Sequence, residues 1–153
     1  MKAETLLMYI NQSFLKYMGR NLPSSDLTSD FFEWVDQFAP YHLLAHKHDV
    51  EPTFIYANQQ SIKTFGYTLD EFLNLKSKLS ASEIDRAERS RLLNIVQENG
   101  IAMNYKGPRV KKNGDLFMIQ NGIVWKIFDD QNQEIGHAAL FWLEEKLPEW
   151  AEI

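Results

Sequence analysis

The side chains best suited to chemistry lie mainly in the C-terminal half of the chain. In LFMIQNGIVWKI, residues 116–127, Phe117, Ile119, Ile123, Trp125 and Ile127 share one face of an extended strand, and Asn121 interrupts that face. A primary amide in an apolar wall needs a partner, which is either a ligand or neighbouring backbone or water. One strand earlier, Tyr105, Gly107 and Arg109 alternate onto one face and offer a hydroxyl, a gap and a guanidinium. Facing inward, Arg109 presents a planar fork of donors that suits an anionic or carbonyl-bearing ligand; facing outward, it is a solvated charge. Gly107-Pro108 marks a bulge or an edge strand at that point.

The histidines raise a metal reading, because His42, His46 and His48 fall within seven residues. On a strand, His42 and His46 share a face but stand about 13 Å apart, too far to bind one ion together. His46 and His48 could join Asp49 or Glu51, but the reading preferred is of exposed histidines near a strand end. His137 is a lone histidine on the last strand, able to ligate a group or to act as a general base while Tyr105 or Asn121 polarises a carbonyl. No local motif supports such an enzyme: there is no nucleophile elbow, Walker loop, dinucleotide glycine motif or HExxH. The chain has no cysteine, which excludes disulfides, thiolate nucleophiles, Cys-ligated metals and flavin photochemistry through a cysteinyl adduct. In EIDRAERSR, residues 83–91, Asp85 and Arg89 have the i,i+4 spacing of an ion pair on a solvated helix face. Ser77, Ser80 and Arg86 stand beside that run as further polar candidates.

The elements that position these groups follow from periodicity. Leu7, Ile10, Phe14 and Met18 line one face of an N-terminal helix that Gly19 can end. A polar loop over 21–29 contains Pro23, and Ser29 can cap a short helix carrying Phe31, Trp34, Val35 and Phe38. YHLLAHKHDV alternates His42, Leu44 and His46 against Leu43 and Ala45, which reads as a first strand, with a second over 53–56. Asn58 is placed to cap the following helix, Gly66 to stop it, and Thr68 with Glu71 to form a capping box. A longer helix is expected over 84–98, with Leu92, Leu93 and Val96 as its buried stripe. Asn113-Gly114 reads as a type I′ hairpin turn, and DDQNQ at 129–133 turns the chain again. Two strands, helices and then a three-strand meander make an α+β domain with one five-stranded antiparallel sheet. Trp142 and Trp150 are expected to pack or to dock on a partner.

Composition narrows the class. The 153 residues suffice for one domain, and 44% apolar with 13% aromatic residues describes a packed interior. A net charge of −5 argues against a nucleic-acid footprint or an anionic membrane surface. No apolar run approaches the roughly 18–20 residues that span a bilayer, so the chain reads as soluble and cytoplasmic.

Several stretches carry a family resemblance. FIYANQQSIKTFGYTLDEF (54–72), KKNGDLF (111–117) and DDQNQEIGHAAL (129–140) resemble PAS sensor domains. YAN (56–58), KSKLSAS (76–82), Arg86 with ERSRLL (88–93), NYKGPRV (104–110), NGDLFMIQNGIVW (113–125) and GHAALFW (136–142) resemble the MEKHLA domain, a PAS-related family. Where this chain has His137, the family pattern usually carries Gln. The resemblance implies a PAS-like five-stranded antiparallel sheet with helices on one face. A helical extension over 1–40 precedes a core over 41–143, and a tail over 144–153 follows it. It also implies a stand-alone sensory module, with a small molecule, such as a noncovalent flavin, in a pocket between sheet and helices. Asn58, Tyr105, Arg109, Asn121, Trp125 and His137 are the ligand-binding candidates. Haem-binding PAS sensors take their axial histidine from the long helix, and residues 84–98 contain none. Signalling would run through an unidentified partner protein or a homodimer formed by the N-terminal helix, unless that helix folds back onto its own domain. A ligand-free interaction domain with a filled core is the alternative, and a small α+β enzyme using His137 is a weaker one.

Overall fold

Five strands form one antiparallel sheet in the order β2-β1-β5-β4-β3 in the computed structural model, which describes residues 1–26 and 30–152. The strands are β1 (His42–Lys47), β2 (Phe54–Ala57), β3 (Ile101–Val110), β4 (Leu116–Phe128) and β5 (Glu134–Trp142). The helices are α1 (Ala3–Met18), α2 (Phe31–Gln37), α3 (Gln59–Phe65), α4 (Leu69–Phe72) and α5 (Arg86–Asn99), with 3₁₀ turns at Ser77–Ser80 and Glu149–Ala151. The α+β class with five antiparallel strands is the one expected. The crossover from β2 through α3, α4 and α5 to β3 lays its helices on one face of the sheet. Among the described residues, no helix is long and apolar enough to cross a membrane.

The other face is covered by α1. Its apolar stripe, Leu6, Leu7, Ile10 and Phe14, is buried against the sheet. The Phe14 ring meets Trp125 edge-on at 4.9 Å, Trp125 Nε1 donates to the Ile10 carbonyl at 3.2 Å, and the Phe128 N–H donates to Ser13 Oγ. The stripe thus folds back onto its own domain. Trp150 extends this cluster by packing edge-on against both Trp34 and Trp142, which brings the C-terminal segment home.

Local signals explain most boundaries. Thr68 and Glu71 form the capping box, and Gly66 ends α3 in the left-handed region. The cap of α2 is Asp30, which accepts from the Phe32 and Glu33 amides, whereas Ser29 lies outside the described residues. The β3–β4 turn is not the type I′ turn expected, because only Gly114 takes a positive φ, of 92°. Gly114 donates to the Lys111 carbonyl at 3.0 Å, and Lys111 donates to the Asp115 carbonyl at 2.8 Å. This is a three-residue loop with a left-handed glycine, in which Asn113 accepts from the Asp115 amide instead of turning left-handed itself.

The face expected along β4 is broken in two. Asn121 sits at φ 52°, and the register skips from Gln120↔Trp142 to Ile123↔Leu140, which inserts one extra residue. A bulge of one residue exchanges the two faces for everything beyond it. Phe117 and Ile119 therefore pack beside Phe65 under the crossover helices, while Trp125 and Ile127 pack under α1.

Candidate functional site

The face opposite α1 carries a cavity of about 60 Å³ between the sheet, α5 and the Ser77–Ser80 turn. Its apolar walls include Phe54, Phe65, Leu92, Ile119 and Leu140, and its polar walls are His46, Ser77, Ser80, Arg89, Tyr105, Arg109 and His137. In β1, period-two alternation sends His42, Leu44 and His46 to this side and Leu43 and Ala45 to the α1 side, as the sequence pattern requires. His46 and His137 are register partners across β1 and β5.

Two guanidiniums line the cavity, one from β3 and one from α5. Arg109 of edge strand β3 is only 7% exposed, donating to Tyr105 Oη at 3.0 Å and to the Pro108 carbonyl at 2.7 Å. The Tyr105 ring lies across Gly107, where a Cβ would collide with it, so the gap anticipated at that glycine is where the phenol rests. Arg89 of α5 is also 7% exposed and donates to Ser77 Oγ. Burial, reinforced by the charge of Arg109, pushes the Arg89 guanidinium down to about 10, so it stays charged at neutral pH.

From Ser77 a hydrogen-bond relay crosses the sheet. Ser77 Oγ lies 2.8 Å from His46 Nδ1, and His46 Nε2 lies 3.2 Å from His137 Nδ1. The assignment that leaves fewest groups unpaired has the Ser77 hydroxyl donating to His46, and His46 Nε2–H donating to His137. His137 then carries its proton on Nε2, which is buried and meets no acceptor among the described residues. Burial, with neighbouring positive groups, lowers the His46 pKa to about 3. Burial also lowers His137 to about 4, against the opposing pull of Glu134. Both rings are neutral at pH 7. Ser77 beside His46 has the composition of a nucleophile–base pair, but so weak a base does not take a hydroxyl proton, and Ser77 Oγ already accepts from Arg89.

Of the six candidate residues, Tyr105, Arg109 and His137 line this cavity, while Asn58, Asn121 and Trp125 do not. Asn58 is fully buried as a joint between elements: its amide donates to the Val35 and Tyr41 carbonyls and accepts from the Leu43 and Ser61 amides. Asn121 points outward at the bulge and donates to the Glu144 and Glu145 carbonyls, which holds the C-terminal segment. Trp125 lies on the α1 face for the reason of parity given above.

The exposed-histidine expectation is corrected for two of the three. His42 is buried, stacked on Phe141 at 4.6 Å with Nε2 2.7 Å from Thr64 Oγ1, and burial lowers its pKa to about 4. His46 is buried in the relay, and His48 alone stays at the surface, 2.8 Å from Glu134. Among the described residues, no group of three or more His, Asp or Glu is placed to hold a metal ion. Arg89 is a second correction: its side chain turns inward and does not pair with Asp85. Its signal was present, because Arg89, Leu92, Leu93 and Val96 share the i, i+3, i+4, i+7 stripe of a buried helix face.

Comparison with known proteins places this geometry. The fold is shared with the PAS domain of a Colwellia psychrerythraea protein, at a TM-score of 0.63 and 15% identity over 75% of this chain and 94% of that one. It is also shared with a light-oxygen-voltage domain studied with a flavin analogue, at 0.57 and 15% identity over 71% and 78% of the two chains. An RNA-binding light-oxygen-voltage receptor matches at 0.61 and 13% identity, covering 78% of this chain and 36% of that one. No curated protein sequence matches. The family model for the MEKHLA domain matches residues 4–143, which takes in α1 from its second residue, the whole sheet and every residue lining the cavity. The chain belongs to the MEKHLA domain family, in the fold of PAS sensory domains.

Proposed function

We propose that this protein is a cytoplasmic sensory module that takes a small molecule into the cavity between sheet and α5 and reports it through protein–protein contacts. The observation that carries this reading is the concentration of buried polar groups at one cavity. His46, Ser77, Ser80, Arg89 and Arg109 line it, while the α1 face is mainly apolar and its buried polar residues, Asn11 and Ser13, are neutral and hydrogen-bonded to Asn21, Leu22 and Phe128. A core that only had to fold gains nothing from two buried guanidiniums there. The site does not fit a flavin: about 60 Å³ lies far below the roughly 300–1,000 Å³ of pockets that hold drug-sized ligands. A smaller occupant is the better match.

The sheet supplies a route for output. Val124 of β4 packs with Leu92 and Val96 of α5, while its neighbour Trp125 packs with α1 and binds the Ile10 carbonyl. A ligand that shifts β4 therefore changes the seat of α1, and since the apolar stripe is buried in its own domain, it is the outward face of α1, with Gln12, Leu15 and Lys16, that a signalling partner would read. Native mass spectrometry of freshly purified protein, paired with an absorbance scan, tests the reading. The expected result is a co-purifying small mass that is lost on denaturation and absent from Ala139→Leu, which fills the cavity from β5. A wholly ligand-free protein that stays so against metabolite mixtures would overturn it in favour of an interaction domain.

A further inference from the structure

We infer that the cavity ligand is a short aliphatic carboxylate, bound between the Arg89 and Arg109 guanidiniums. This rests on the sensory reading above and names its ligand class. Each guanidinium has five N–H donors, and the protein acceptors recorded are Ser77 Oγ for Arg89, and Tyr105 Oη and the Pro108 carbonyl for Arg109. Neither meets a carboxylate among the described residues, although the surface lysines nearby find theirs: Lys76 and Lys78 bind Glu51, and Lys112 binds Glu71. Two like charges taken out of water beside each other, with only hydroxyls and a carbonyl for company, make an arrangement that an anion completes.

The other polar walls complement the same ligand. His46 and His137 are neutral and bring no negative charge. The relay leaves His137 Nε2–H as a donor, and the Tyr105 hydroxyl, which accepts from Arg109, keeps its own proton to donate. Four groups on the wall are thus donors, two of them cationic. A carboxylate has two oxygens to share between two guanidinium forks.

Size and wall chemistry choose among anions. A cavity of about 60 Å³ has room for about four to six non-hydrogen groups, at the roughly 10–15 Å³ that one water requires. Phosphate would fit by volume, but its four polar oxygens would face Phe65, Leu92 and Ile119 as well as the arginines. A two- to four-carbon acid sets its charge on the arginines and its hydrocarbon on that apolar wall. Arg89, Leu93, His46 and His137 also line the surface groove beside Pro52, Asn94 and Gln97, so they form the partition between cavity and solvent. Of the two cavity arginines, Arg89 is the one that also lines this groove.

The test is thermal unfolding of the full chain at constant chloride-balanced ionic strength with propionate, its neutral isostere propionamide, or inorganic phosphate. Propionate is expected to raise the midpoint by roughly 5–10 °C at a hundredfold excess over Kd, with propionamide inert and phosphate weaker. Arg89→Met and Arg109→Met are expected to unfold within about 2–4 °C of the unmodified chain and to lose the propionate shift, which separates ligand recognition from a structural role. Titration calorimetry of propionate against propionamide on the unmodified chain decides the same question without any variant. Equal effects of propionate and propionamide, or a shift that survives both substitutions, would sink the assignment, and a stronger shift from phosphate would replace carboxylate by phosphate. A neutral co-purifying mass with no carboxylate shift overturns the ligand class while the sensory reading stands; no mass and no shift removes both.

Discussion

The two faces of one sheet are built on opposite principles. On the α1 side, Ile10, Phe14, Leu43, Ala45, Trp125 and Ile127 are fully buried, and the polar atom among them, the indole N–H, is satisfied by the Ile10 carbonyl. On the α5 side, the interior holds two charged arginines, a serine and a pair of neutral histidines around a cavity. Close packing of apolar side chains is what stabilises a fold. Unpaired polar groups in the same interior cost stability and persist where recognition needs them. The α1 face holds the domain together, and the α5 face is free to be imperfect.

The largest effect should come from the apolar face. Trp125→Ala removes the largest fully buried side chain and is expected to cost about 3–5 kcal/mol in urea unfolding. A loss under about 1 kcal/mol would erase the contrast between the faces.

Next is the pH response of the polar face. His42, His46 and His137 have folded pKa values near 4, 3 and 4, below the 6.5 of the unfolded chain. Between those values the unfolded state binds more protons, so stability is complete above about pH 6.5 and falls as pH drops toward 4, on the order of a few kcal/mol for each imidazole. His46→Gln should flatten that slope. An urea midpoint that is constant from pH 7 to about pH 4.5 would mean these imidazoles are not held neutral.

Where the faces exchange, Asn121→Ala is expected to cost about 1–2 kcal/mol, since alanine tolerates φ 52° poorly and loses the bonds to Glu144 and Glu145. Asn121→Gly should keep the bulge yet still speed hydrogen exchange in residues 143–152. The smallest change is Arg109→Met, expected within about 1 kcal/mol of zero in either direction. A loss of several kcal/mol there would make Arg109 a structural residue of the same standing as Trp125.

Much of the scaffold was legible because its signals are local. The capping box at Thr68 and Glu71, the glycine stops at Gly19 and Gly66, and the alternation of β1 each depend on residues a few positions apart. The turn at Asn113-Gly114 was located correctly, but its type was not, because an Asx bond from Asn113 to Asp115 competes with the left-handed conformation assumed for it.

The site was legible in part. Tyr105, Arg109 and His137 reach the cavity, whereas Asn121 and Trp125 were placed by an unbroken period of two along β4. The bulge breaks that period, and nothing within the strand's own pattern says that Asn121 will turn left-handed to reach the carbonyls of Glu144 and Glu145.

By itself, then, the amino-acid sequence determined the α+β class, the five strands, the resemblance to PAS-like domains and the exclusion of cysteine chemistry, all properties of residue type and short-range spacing. Only the tertiary structure decided which face of β4 each side chain occupies and that Arg89 turns inward to meet Arg109 across a cavity. It likewise decided that His46 and His137, 91 positions apart, share a hydrogen bond. Those facts depend on register between distant strands and on burial, and burial is set by the whole packed chain rather than by any segment of it.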